Sequence, residues 1–226
     1  MFKTRTGLLA ATLFLGLIGS TPGLAQDNSP SVAFNLFSVE GLVVGDTYSI
    51  NTEFGENNGV DVPAPFRFMT PRQDGMQVVL EPPQEGSGEL IKVNFTTEDR
   101  QLIENMRFVK MTLPMGDREE RLQSMASVLA NDGYKMAVSS YSEHEFIGVR
   151  ETKIGDYDGV EAIGKYIDAD LGLMYVRLIG VPNPDGPDSV VAVANIVASR
   201  VPLESLDDLA RTFTGTALRH FEYLDE

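Results

Sequence analysis

Residues 157–181 read YDGVEAIGKYIDADLGLMYVRLIGV, and side chains two apart share their character through most of that length. Val160, Ala162, Gly164 and Tyr166 fall on one side of an extended chain, and Glu161, Ile163, Lys165 and Ile167 on the other. That is the period of a β-strand, whose successive side chains point to opposite faces. Residues 168–172, Asp-Ala-Asp-Leu-Gly, have turn chemistry, and 173–181 return as a partner strand. A second, stiff turn follows in PNPDGPD, residues 182–188. Residues 190–198 are apolar on both faces and rich in small side chains, which predicts a central strand covered on each side. Strands joined by such short turns form an antiparallel meander.

Helical periodicity brackets this sheet. Asp117 and Glu120 have the spacing of a capping box, and Leu122, Met125, Ala126 and Leu129 recur at helical intervals. A helix over 117–132 is predicted, with Gly133 as its left-handed stop. A second helix is predicted over 203–220, after Pro202, with Ser205 and Asp208 at its start. Its stripe is Leu206, Leu209, Ala210, Phe213 and Ala217; Asp207 and Asp208 come early, Arg219 and His220 late, as the helix dipole favours. Between the helices, 134–141 and 145–149 read as further strands.

Upstream, Phe66 and Phe68 alternate before Asp74-Gly75, and Met76, Val78 and Leu80 after it, so a hairpin is expected there. A loop over 82–88 leads to a strand through Ile91, Val93 and Phe95. Residues 97–106 suggest a short helix capped by Thr97, with Leu102, Ile103 and Met106 on one side, before a strand over 107–113. Residues 26–64 give one or two loosely held strands and a flexible loop at 53–59. The expected fold is a single α+β domain over 65–226, an antiparallel meander flanked by helices.

Residues 1–25 place Lys3 and Arg5 before an apolar run, 7–18, and end in small residues, the order of a secretory leader. The run is shorter than the ~20 residues a membrane span needs. No later stretch is apolar enough to span, and no Cys follows the run to carry a lipid. A periplasmic chain is expected. With no cysteine at all, its core must hold without disulfides. A net charge of −15 excludes a nucleic-acid partner, whose phosphates require a basic surface. It leaves a basic partner or divalent cations open.

Reactive groups are few. His144 and His220 are the only histidines, too few with no cysteine for a zinc site; they read as a strand-end residue and a helix-end cation. Ser139 and Ser140 lie on an expected strand and not on a nucleophile elbow, and G-x-S-x-G is absent. Gly155 and Gly159 flank Asp156-Tyr157-Asp158 with no helix after them, which is not a phosphate loop. Asp156/Asp158, Asp168/Asp170, Asp185/Asp188 and Asp207/Asp208 are carboxylate pairs of the kind glycoside hydrolysis uses. Asp168 and Asp170 begin like a calcium loop, but Gly172 stands at the third oxygen position, leaving weak surface calcium binding beside ordinary turn chemistry. No catalytic residue, metal ligand or cofactor site is assigned.

The order of elements carries a resemblance. A strand pair leads into Leu113-Pro114, a helix ends at Gly133-Tyr134, Ile154-Gly155-Asp156-Tyr157-Asp158-Gly159-Val160 opens the meander, and a helix closes the chain. Over residues 65–223 this layout resembles the PsbP-like superfamily, which includes the DcrB-like bacterial envelope proteins. The resemblance implies an antiparallel sheet with flanking helices in a non-catalytic domain that binds or stabilises other proteins. The chain departs from the DcrB-like pattern in lacking a lipid-anchor Cys. Expected, then, is a non-enzymatic exported protein that binds or stabilises an envelope protein. The alternative is a periplasmic hydrolase using paired carboxylates.

Overall fold

A computed structural model describes residues 43–83, 86–201 and 203–225, all within one unit, Ser31–Glu226. The leader expected at 1–25, and residues 26–42, lie outside them. The elements begin with β1 (Val43–Ile50), α1 (Thr52–Asn58), β2 (Phe66–Arg72), β3 (Met76–Glu81), β4 (Glu89–Thr97) and β5 (Leu102–Thr112). Next come α2 (Arg118–Val128), a π turn (Leu129–Gly133), α3 (Tyr134–Ala137), β6 (His144–Ile154), β7 (Tyr157–Asp168), β8 (Gly172–Val181) and β9 (Asp188–Val197). A 3₁₀ turn (Leu206–Arg211), α4 (Phe213–Leu218) and β10 (Glu222–Tyr223) complete them.

Seven strands form one antiparallel sheet in the order β3-β4-β5-β9-β8-β7-β6, and β1-β2-β10 form a smaller one. The fold is α+β, and the meander β7-β8-β9 is as the alternation predicts. β9 is the central strand, with β5 on one side and β8 on the other. Val160, Ala162 and Tyr166 pack under α2 with Leu122, Met125 and Leu129, while Ile163 faces the opposite core. That second core lies between the sheet, the small sheet and α4. It is centred on Phe66, Phe68, Phe108 and Phe221, with the Phe108 ring 4.8 Å from each of the first two.

α2 begins as its sequence dictates. The Asp117 carboxylate accepts from the Glu120 N–H at 2.9 Å, and the Glu120 side chain reaches back to the Asp117 N–H. It sits close to the sheet because Gly180 lies beneath it, where a Cβ would fall 2.3 Å from the Met125 sulfur.

Six local expectations are overturned. The loop at 53–59 is mostly helix, since Asn51 accepts from the Phe54 N–H and so caps α1. Asp74-Gly75 makes a turn, but β2 and β3 belong to different sheets, so it is a corner and not a hairpin. Residues 102–112 are strand β5, paired on both sides, and Thr97 instead closes a turn by accepting from the Gln101 N–H. Gly133 is right-handed at φ −59°, and the helix runs on through it into α3, where a strand was expected. A Cβ there would meet the Leu178 side chain at 2.9 Å, so the glycine answers a packing need. The helix expected at 203–220 breaks at Thr212, whose ψ of 169° is extended and whose hydroxyl restarts the chain as α4.

Candidate functional site

The buried acids have structural employment. Glu104 on β5 accepts from the backbone N–H of Phe213 at 3.1 Å and of Thr214 at 2.9 Å, holding the first turn of α4 against the sheet. Burial pushes its carboxyl up, opposed by the Thr214 and Phe213 donors and by Arg177. Glu161 on β7 has no exposed surface and lies between Arg150 of β6 and Arg177 of β8. Those two guanidiniums donate onward to the carbonyls of Leu206 and Leu209, tying the 3₁₀ turn to the meander. Asp208 accepts from the N–H groups of Glu204 and Ser205 and caps that same turn.

The carboxylate pairs singled out in the sequence go separate ways. Asp168 accepts from the N–H of Asp170 at 2.9 Å and of Leu171 at 3.0 Å, which is ordinary turn chemistry. Asp188 accepts from the Thr112 hydroxyl, Asp207 from Arg150, and Asp185 lies exposed in its turn. His144 opens β6, exposed, with its ring edge-on to Tyr134, and His220 is exposed beyond α4. Among the described residues no group of three or more His, Asp or Glu is placed to hold a metal ion.

Asp156 and Asp158 border a cleft, of about 360 Å³, between the start of α2, the β6–β7 turn and the β8–β9 loop. Its walls include Arg118, Arg121, Tyr157, Pro182 and Pro184. The turn approaches the C-terminal segment closely: Gly155 has φ 56°, and a Cβ there would lie 2.4 Å from the Phe221 carbonyl oxygen. Asp158 is paired with Arg118 and with Lys153, and those hydrogen bonds, Arg118's first, hold its carboxyl well below the usual carboxylate range. A general acid for glycoside hydrolysis requires the opposite shift.

The other notable surface is β6, an edge strand. Its outer side has no strand partner among the described residues. Phe146, Ile147 and Val149 are 40%, 39% and 42% exposed, three apolar side chains within four positions. Phe146 pairs with Gly164 and Val149 with Ala162, so both lie on the face that carries α2. A bulge between Phe146 and Gly148 interrupts the register, and Arg150 turns inward to Glu161. Glu143, Glu145 and Glu151 are exposed around the apolar row. Sequence reading placed a strand at 145–149 but gave no sign that it ends a sheet. Arg121 was missed as well, although a basic residue beside Leu122 on the buried side of α2 is a legible anomaly.

No protein-family model matches the chain, and no curated protein matches it. Its structure is similar to several solved ones. PsbP of the cyanobacterium Synechocystis is among them, as the element order led us to expect. That likeness covers 92% of this chain and 99% of PsbP at 13% identity, with a TM-score of 0.48. LpqN of Mycobacterium tuberculosis, involved in cell envelope biogenesis, matches over 80% of this chain and 91% of its own at 11% identity and a TM-score of 0.44. The Saccharomyces cerevisiae Ran-binding protein Mog1p matches over 80% of this chain and 97% of its own at 11% identity and a TM-score of 0.39. Among the described residues no helix is long and apolar enough to cross a membrane.

Proposed function

We propose that this chain is an exported, non-catalytic protein of the bacterial envelope, delivered to the periplasm by a leader over residues 1–25. It binds another protein at the open edge of β6. The observation that carries the reading is the row Phe146, Ile147 and Val149, exposed on a strand whose outer edge has no strand partner among the described residues. An edge strand offers unpaired N–H and C=O groups to an incoming strand, and neighbouring apolar side chains supply selectivity.

The partner's chemistry follows from charge. The row is flanked by Glu143, by Glu145 paired with Lys165 and by Glu151 near Arg118, in a chain of net charge −15, so the partner is apolar at its centre and basic at its rim. A second copy would bring the same net negative charge to the contact. The bulge and the inward-turned Arg150 are devices that keep edges from pairing indiscriminately. The buried acids support the non-catalytic reading, because Glu104, Glu161 and Asp208 are each consumed in holding elements together.

Photo-cross-linkers placed at Ile147, and at Val79 on the opposite edge strand, test this in the full chain within the envelope. The expected product is a partner joined through a basic segment at Ile147, absent at Val79 and lost when Phe146 and Val149 are both changed to Ser. Cross-linking to a second copy, equal yields at the two edges, or no product overturns it.

A further inference from the structure

Arg121 is a buried cation without a counter-ion among the described residues. Its side chain belongs to a residue only 6% exposed. The guanidinium donates to the carbonyl oxygens of Asn183 and Gly186 and to the Ser189 hydroxyl, all neutral acceptors. Among the described residues its buried Nε–H meets no acceptor and no carboxylate pairs with it. Arginine keeps its proton under all ordinary conditions. Buried charges are ordinarily paired, since an uncompensated one loses solvation that nothing repays.

Arg121 lines the cleft, and a second arginine converges there. Arg118, one turn earlier on α2, lines the same walls. Gly116 does too, beside the Glu120 side chain that caps the start of α2. Arg118 is paired with Asp158, but Asp158 also holds Lys153 at 2.5 Å. An incoming anion could therefore take Arg118 while Asp158 keeps a cationic partner. The Tyr157 hydroxyl accepts from the Tyr223 N–H, which leaves its own O–H to donate. Pro182 and Pro184 provide apolar walls. A volume of about 360 Å³ exceeds what a bare ion fills and lies at the lower end of small-molecule sites.

We infer that this cleft binds a small molecule bearing an oxyanion, a carboxylate or a phosphate, between Arg118, Arg121 and the start of α2. The site does not involve the exposed apolar row of β6 or the protein proposed to bind there. Titrations with sodium phosphate, sodium acetate and sodium chloride at equal ionic strength, followed by backbone amide shifts and by thermal unfolding, test it. Phosphate or acetate is expected to move the amides of Gly116 and Asp156 and to raise the unfolding midpoint, where chloride does neither. A response to phosphate alone assigns phosphate esters, and one to acetate alone assigns carboxylic acids. R118Q alters an exposed side chain and is expected to weaken the effective anion about tenfold. D158N, which removes the nearer of the two carboxylates that hold Arg118 and leaves Glu151 at 3.8 Å, is expected to tighten it. Equal responses to all three salts, or an R118Q variant that titrates like the parent, overturns the assignment.

Discussion

The Glu104 carboxylate stands 2.9 Å from the backbone nitrogen of Thr214, across 110 positions of sequence. Glu104 lies on the face of β5 that carries Met106 and Phe108, where an apolar residue would continue the core. A fully buried acid is tolerated there because the first turn of α4 presents two N–H groups that would otherwise lack partners.

Replacing Glu104 by Gln turns an amide N–H₂ toward one of those donors. The expected loss is about 1–3 kcal/mol, the cost of a buried donor left unpaired, read from urea unfolding midpoints. An unchanged midpoint would show that α4 is held by its apolar contacts alone.

Stability should also depend on pH through this residue. Burial raises the Glu104 carboxyl above its ordinary value of 4.5, so the folded chain keeps the proton after the unfolded chain has released it. Its contribution is complete below about pH 4.5 and is lost as pH climbs through the raised value. The E104Q variant should show a flatter dependence over that window when both proteins are unfolded in urea across it.

Glu161 offers a sharper test. Changing it to Leu leaves Arg150 and Arg177 without the carboxylate between them, at an expected cost of about 3–5 kcal/mol by chemical denaturation. Replacing Glu161 and Arg177 together by apolar residues should cost less than the single change, because no fully buried charge is then stranded.

Two glycines with positive φ separate strain from crowding. Gly155 and Gly172 have φ of 56° and 74°, but only the first has a carbonyl in the way of a Cβ, while the second faces open space. G172A should cost about 1 kcal/mol for its left-handed backbone. G155A should cost clearly more in the same thermal scan.

The β6 row should be dispensable for folding. Phe146→Ser with Val149→Ser is expected to lower stability far less than a core truncation, which costs about 2–5 kcal/mol. A drop of that size would mean the row is core and not a docking surface.

Much of this architecture was legible because its cause is local. The period of two in residues 157–181 fixes which side chains share a face, and the apolar-on-both-sides run after it marks the middle of the sheet. The Asp117–Glu120 box starts α2 with groups three residues apart. The tertiary structure decided the rest, because the deciding contacts lie far along the chain. Glu104 spoiled the strand pattern of β5 until Phe213 and Thr214 arrived to satisfy it, and Gly133 stopped nothing because Leu178 needed the room. Whether β6 would be an inner or an outer strand, and which acids would meet a cation, depended on pairings no spacing encodes. A side chain's periodicity is set by its own backbone, while its partner is set by where the whole chain closes.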